Sequence, residues 1–262
     1  NFMSGSPLAF ALAARGHGRY GLGQTGWRDD FESSLAMARG TDPLSYATDV
    51  TFIYFGAIPF GIVIGDDRVL GEIEAASRVA EQSGDDLAVA FARAVLGVAL
   101  VHRDTAAERQ RGHMVLVEAS DLWVRQQQNL CDLRFVDVLM ARESARRGDR
   151  ENAIQLMNAA IDQLVLEGQL TSLGVPATGV LVETLLERGT KDDVVQAESA
   201  FDRLVTTPAD HEYVVRDIWL LRMRAFLARA QGDDDTYRDY RDRYRKMATD
   251  LGFEGHMQWA EE

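Results

Sequence analysis

Apolar residues along this chain recur at a spacing of three and four positions. The segments 8–13 and 87–99 follow this spacing, and residues 153–165 follow it most clearly. Such a period places the apolar side chains on one face of an α-helix. Strand-like character is confined to Val50–Phe55, where β-branched and aromatic residues cluster. We predict a helix there too, because helical patterns flank it closely on both sides, and we predict an all-α fold.

Glycine and aspartate separate the predicted helices. Gly65-Asp66-Asp67, Gly84-Asp85-Asp86 and Gly232-Asp233-Asp234 each fall between two apolar stripes. Glycine can adopt the left-handed conformation that ends a helix, and the aspartate that follows can cap the next one. The turns are short, and no Gly/Ser-rich or Pro-rich linker interrupts them. We therefore predict a single repeat domain over residues 1–262.

An ordered pattern of small residues, a turn and large apolar residues repeats along the chain. It is clearest over 140–160, recurs over 225–240 and 182–204, and has a weaker copy at 96–104. Small residues allow two antiparallel helices to pack closely, which is the principle of tetratricopeptide (TPR) repeats. Two further pairs match only in helix length and alanine use: Leu8–Arg39 and Leu44–Gln82.

We predict from this pattern a TPR-like α-α superhelix, a solenoid of about six helical hairpins. A capping helix over Glu254–Glu262 would close it. One hairpin alone cannot bury its apolar face, whereas stacked hairpins bury a continuous core. An unrelated all-helical bundle is the alternative.

Composition and charge exclude several classes of protein. The 262 residues are 46% hydrophobic and 26% charged, as in a globular protein, and the net charge of −13 argues against nucleic-acid binding. No apolar run reaches the roughly 20 residues that span a membrane. The single cysteine, Cys131, rules out an internal disulfide framework, is expected to be buried, and suits a reducing cytoplasm. Because the chain begins at Asn1 without a signal-peptide pattern, we interpret it as a piece cut from a larger protein.

Motifs for catalysis or cofactor binding are weak, and we expect no cofactor. Gly16–Gly21 and Gly21–Gly26 match a dinucleotide fingerprint, but a predicted helix precedes them where that motif needs a strand. Close helix contacts and a turn explain these glycines. No Gly-Lys-Ser/Thr triplet is present, and the five histidines lack metal-ligand spacing. His113 and His256 are expected to be hydrogen-bonded structural residues.

Acidic pairs and a tyrosine-arginine segment have structural explanations. Each acidic pair opens a predicted helix, where negative charge is favourable and a side chain can cap free amides. Tyr237, Tyr240 and Tyr244 share one helix face, with arginines and aspartates opposite. This arrangement predicts a packing stripe with a solvated charged face rather than a nucleic-acid site.

The first helix of each hairpin would line the concave side of a solenoid. That surface is the predicted binding face, and an exposed tryptophan among arginines could hold an anionic or extended peptide ligand. The role of Trp219 stays open, because it can equally belong to the core. The arginines are expected to be merely solvated. The predicted face consists of Phe135, Arg142, Arg146, Glu183, Trp219, Arg222 and Arg229.

Six segments together resemble one protein family, and the likeness spans essentially the whole chain. They are Gly5–Ala9, Gly26–Phe31, Ala99–Asp104, Val175–Leu185, Arg216–Leu221 and Leu251–Met257. The sequence resembles the C-terminal helical-repeat region of large actinobacterial regulators. Those proteins carry a class III adenylate/guanylate cyclase domain, an AAA/STAND-type ATPase module and then TPR-like repeats. Some LuxR/MalT-like relatives end in a helix-turn-helix, which no segment here matches.

The resemblance implies a regulatory region that is not itself an enzyme. The cyclase and ATPase modules would lie upstream in the same polypeptide and would be its partners. We expect a non-catalytic sensor domain that recognises a protein, peptide or small-molecule ligand and works in the cytoplasm. A stand-alone interaction or oligomerisation platform is the alternative.

Overall fold

The computed structural model describes residues 6–127, 130–208 and 213–261, with positions 126, 130 and 131 described for their backbone only. This part of the chain contains thirteen α-helices and no β-strand. The helices are α1 Pro7–Gly21, α2 Trp27–Arg39, α3 Pro43–Ala57, α4 Asp67–Ser83, α5 Asp86–Val101, α6 Ala106–Gln126, α7 Leu130–Arg146, α8 Arg150–Leu166, α9 Gly174–Arg188, α10 Lys191–Thr206, α11 Val214–Gln231, α12 Asp234–Leu251 and α13 Glu254–Trp259.

Consecutive helices pack as antiparallel pairs, which confirms the predicted all-α fold of repeated hairpins. Each of the pairs α1/α2, α3/α4, α5/α6, α7/α8, α9/α10 and α11/α12 is in contact. The first helices also contact one another: α3 touches α1 and α5, and α9 touches α7 and α11. The first two hairpins match the predicted pairs Leu8–Arg39 and Leu44–Gln82, and the final helix ends at Trp259, short of the predicted Glu262.

The helices belong to two compact units. The first comprises Asn1–Gln128 with Phe253–Gly255, and the second comprises Asn129–Gly252 with His256–Glu262. The hairpins α1–α6 lie in the first unit and α7–α12 in the second. Each unit thus stacks three hairpins around a core of its own.

Local chemistry explains where the helices begin and end. The side chains of Asp42, Asp66, Asp85 and Asp233 each accept a hydrogen bond from a backbone N–H in the first turn of the following helix. This satisfies donors that have no partner within the helix. Gly148, between α7 and α8, has φ of 105°, a conformation that side chains other than glycine rarely adopt. The aspartate that follows this glycine is not a cap, because the Asp149 side chain accepts no hydrogen bond from a helical N–H.

The β-branched segment Val50–Phe55 is helical, as predicted, and lies within α3. Its large and β-branched residues occur on all sides of the helix because α3 contacts α1, α2, α4 and α5, so that most of its circumference is buried. A helix enclosed in this way loses the one-sided pattern of a surface helix. The resulting run of apolar residues resembles that of a buried strand.

Candidate functional site

Three of the predicted binding residues meet in the second unit, one from each first helix. Arg142 lies on α7, Glu183 on α9 and Arg222 on α11. Arg142 Nη2 donates to Glu183 Oε2 at 3.2 Å, while Nε and Nη2 of Arg222 lie 2.9 Å from Glu183 Oε1. One carboxylate on the middle helix therefore joins two arginines from the helices on either side.

Aromatic residues and a tyrosine hydroxyl hold Arg222 in place. Its guanidinium carbon lies 4.7 Å from the ring centroid of Trp259 and 4.9 Å from that of Phe226. Arg222 Nη1 also donates to the Tyr244 hydroxyl at 3.2 Å. With 8% of its side chain exposed, Arg222 is a buried cation whose planar group is stacked as well as ion-paired.

The hydrogen-bonded network continues from Tyr244 to the last helix. The Tyr244 hydroxyl lies 2.9 Å from Nδ1 of His256 and 3.2 Å from the His256 carbonyl oxygen. His256 is fully buried, and its ring packs edge-on against Trp219 and Trp259. The structural role predicted for His256 is confirmed, since it fixes α13 against α11 and α12 inside the second unit.

Arg142 and Arg146 form the part of this cluster that solvent reaches. They are one helical turn apart on α7, with 23% and 34% of their side chains exposed. Arg146 Nη1 donates to Oε1 of buried Glu143 at 2.5 Å. The exposed end of the network therefore consists of the guanidinium groups of Arg142 and Arg146, whereas the carboxylates, the rings, the tyrosine hydroxyl and Arg222 lie in the interior.

The electrostatics of the cluster favour the charged forms of Glu183 and Arg222 despite their burial, but disfavour that of Arg142. Burial raises the pKa of Glu183, but Arg222 and Arg142 together hold that pKa below its usual value. Burial lowers the pKa of Arg142, and the positive charges of Arg146 and Arg222 lower it further, against the opposite effect of Glu183. The pKa of Arg222 is raised, because Glu183 and Tyr244 outweigh the desolvation of its guanidinium.

The remaining predicted residues lie elsewhere, and the expectation that Phe135 lines the binding face was wrong. Phe135 and Trp219 are 0% and 3% exposed, so they pack in the core and present no binding surface. The open question about Trp219 is thereby settled in favour of the core. The expectation that the arginines are merely solvated fails for Arg222 and Arg142, which are ion-paired. Arg229 is exposed, and its guanidinium lies over the ring of Tyr237.

Sequence reasoning missed the residues that surround Arg222. Tyr244 was predicted to pack, but neither its hydroxyl nor Trp259 and Phe226 were linked to the arginine. One usable signal was the repeat itself, because Arg142, Glu183 and Arg222 are separated by 41 and 39 residues. Those separations are one repeat length each, so equivalent positions on successive hairpins become neighbours.

The other sequence motifs have structural roles. Gly16 lies within α1 directly against the ring of Phe31, so the glycine run reflects a close helix contact. The acidic pairs stand at helix starts as predicted, and Asp193 forms a reciprocal capping box with Thr190. The Cys131 side chain and His211 lie outside the described residues. Within the described ranges, no group of three or more His, Cys, Asp or Glu side chains is arranged to hold a metal ion, and no helix is long and apolar enough to cross a bilayer.

Comparisons with protein-family models, with curated proteins and with solved structures find no match to this chain. The likeness to regulator repeat regions therefore stays a hypothesis based on the motifs in the sequence.

Proposed function

We propose that this chain is a non-catalytic regulatory repeat domain of a larger signalling protein, of the cyclase and ATPase type that its motifs resemble. It would recognise a ligand or partner at the face of α7, α9 and α11 and relay binding to the catalytic modules of the same polypeptide. A cytoplasmic location fits the single cysteine.

The observation that carries the proposal is the shared carboxylate of Glu183. Arg142, Glu183 and Arg222 come from three successive hairpins, so their contacts depend on how those hairpins stack. A ligand that alters the position of Arg142 would favour one arrangement of the stack over another. Binding shifts such an equilibrium only by its difference in affinity for the two arrangements.

The test compares the full-length protein that carries these residues with a version lacking 1–262. Adenylate and guanylate cyclase activity and ATP hydrolysis are measured for both. We expect a change in turnover, because a regulatory domain restrains or stimulates the modules to which it is attached. Identical turnover and an identical response to cell-extract fractions would contradict the proposal and favour an interaction platform, for which light scattering and partner capture are the next measurements.

A further inference from the structure

We propose that the groove between α10 and α12 binds an extended peptide of a partner protein, and that Arg224 on α11 pairs with a carboxylate side chain of that peptide. This surface is separate from the face of α7, α9 and α11, because Arg224 follows Arg222 by two residues, which is about 200° around a helix. The inference therefore goes beyond the proposed function and does not depend on it.

Three helices of the second unit form the groove. α10 and α12 each pack against α11, and among the described residues they do not pack against one another. The guanidinium carbon of Arg224 lies 5.5 Å from the ring centroid of Phe201 on α10 and 5.4 Å from that of Tyr240 on α12. Rings from both walls thus restrict this cation, so that less side-chain entropy is lost when it pairs with a ligand.

The N–H groups of Arg224 are available for such pairing. Aromatic contact leaves the in-plane donors of a guanidinium free to bind an acceptor. Within the described part of the chain, the one hydrogen bond of this side chain runs from Nη1 to the Tyr240 hydroxyl at 3.5 Å. Nε and Nη2 have no partner there and are not buried atoms, so both reach solvent. Two adjacent N–H groups of this kind can hold both oxygens of a carboxylate.

The other grooves between second helices of successive hairpins are bridged by ion pairs. In α2/α4, α4/α6 and α8/α10, an arginine of one wall meets a carboxylate of the other, namely Arg39 with Glu72, Arg111 with Glu74 and Arg203 with Asp162. Arg224 contacts no carboxylate of the described residues. Arg243, which lies over the same Tyr240 ring, already pairs with Asp239 at 3.3 Å. A carboxylate from another molecule would give Arg224 the partner that the equivalent arginines have.

The groove fits a peptide better than a small ion. An ion pair at a solvent-exposed arginine contributes little by itself, whereas a peptide would also cover the ring of half-buried Tyr240. α10 has 16 residues, so this wall is about 24 Å long, and an extended segment of about seven residues matches that length. The net charge of −13 repels polyanions. We therefore expect one carboxylate between apolar residues rather than an acidic tract.

The experiment titrates the isotope-labelled 262-residue chain with a capped seven-residue peptide that has a central glutamate between apolar residues. Nuclear magnetic resonance follows the backbone amides of α10 and α12 at constant ionic strength. We expect saturable shifts there, and roughly tenfold or more loss of affinity when the central glutamate of the peptide is replaced by glutamine. The variant Arg224→Gln should lose affinity for the glutamate peptide to the same extent.

The matched control is Arg203→Gln, which removes an arginine of α10 that Asp162 already neutralises. It should bind the glutamate peptide as the unmodified chain does. Arg224→Lys keeps the positive charge but loses the planar fork, so it should bind more weakly. Melting temperatures of the variants without peptide show whether each one is folded, and only folded variants are compared.

Three results would overturn the inference. They are the absence of a saturable shift, equal affinities for the glutamate and glutamine peptides, and equal losses for Arg224→Gln and Arg203→Gln. Sodium acetate is titrated as a further probe, and a response to it as strong as that to the peptide would show a small-ion site and contradict the assignment to a peptide. The regulatory proposal is tested separately by the turnover of the full-length protein, so it can stand or fail independently.

Discussion

The indole ring of Trp219 on α11 lies directly against the backbone of Gly179 on α9, so closely that a Cβ atom at residue 179 would overlap the ring. Glu183 follows Gly179 by one helical turn, and Arg222 follows Trp219 by one turn. The close approach of these two helices therefore also brings the carboxylate of Glu183 onto the guanidinium of Arg222. Packing and ion pairing here are consequences of the same contact.

Gly179→Ala should destabilise the chain by about 1–3 kcal/mol, because the added methyl group forces α11 away from α9. Chemical denaturation followed by circular dichroism measures the change. Gly71→Ala is the control, since its added Cβ on α4 meets no neighbouring atom. Replacing a helical glycine by alanine there should stabilise by roughly 0.5–1 kcal/mol. The close-contact explanation would be wrong if both variants shifted stability in the same direction.

Glu183→Gln should be more disruptive, costing about 3–5 kcal/mol, because it leaves the buried cation of Arg222 and the partly buried cation of Arg142 without their shared carboxylate. Glu187→Gln provides the same chemical change one turn later on the same helix, at an exposed position. We expect that control to change stability by no more than about 0.5 kcal/mol. Equal midpoints of urea unfolding for the two variants would show that Glu183 does not hold the cluster together.

The contribution of Asp193 to the stability of the second unit should depend on pH. Its hydrogen bonds with Arg188 lower its pKa to about 2, with further bonds to Thr190. A folded pKa below the unfolded value gives stability that is present above pH 4 and lost as the pH falls from about 4 to about 2. We expect Asp193→Asn to cost about 2–3 kcal/mol at pH 7 and little near pH 2.

The matched control for this prediction is Asp192→Asn, at the adjacent exposed position of the same first turn. Across the pH range, the free energy of unfolding of this variant should differ from that of the unmodified chain by no more than about 0.5 kcal/mol. A loss for Asp193→Asn that stays constant down to pH 2 would contradict the assignment of this pH dependence to Asp193.

The contribution of Asp49 to the stability of the first unit should have the opposite pH dependence. It is 3% exposed, and burial raises its pKa to about 6, although the Ser34 hydroxyl donates to it at 3.2 Å. Because the folded pKa lies above the unfolded one, the favourable contribution of the protonated form is lost as the pH rises from about 4 to about 6. Relative to the unmodified chain, the free energy of unfolding of Asp49→Asn should rise by up to about 3 kcal/mol between pH 4 and pH 7.

The measurement is the difference in unfolding free energy between Asp49→Asn and the unmodified chain at several pH values. Asp29→Asn, at an exposed position of α2, controls for the loss of one carboxylate. Its difference should stay within about 0.5 kcal/mol throughout. A difference for Asp49→Asn that does not change with pH would show that this carboxyl has an ordinary pKa in the folded chain.

Much of the fold could be predicted because its determinants are local. The apolar period along residues 153–165, the capping aspartates and the left-handed turn at Gly148 each act within a few residues of one another. The prediction that Val50–Phe55 is helical was also correct, although it rested only on the helical patterns that flank this segment. Only the enclosure of α3 by four other helices explains why its large and β-branched residues occur on all sides.

The candidate site could be predicted only in part. The repeat period puts Arg142, Glu183 and Arg222 on successive first helices, and the structure brings their side chains into contact. Residue type did not reveal that Trp219 and Phe135 point into the core, because an aromatic on a helix can occupy either position until the neighbouring helix is known. Arg229 shares the helix of Arg222 but lies beyond the reach of Glu183.

The sequence by itself thus determined the hairpins and their order, because helix formation and capping depend on neighbours a few positions away. The tertiary structure decided which charges meet. Glu183 binds two partners that lie 41 and 39 residues away in the sequence, and Arg222 is enclosed by rings and a hydroxyl from three helices. Such contacts depend on side-chain direction and on distances of a few ångströms between helices. Those distances are fixed only when the hairpins stack.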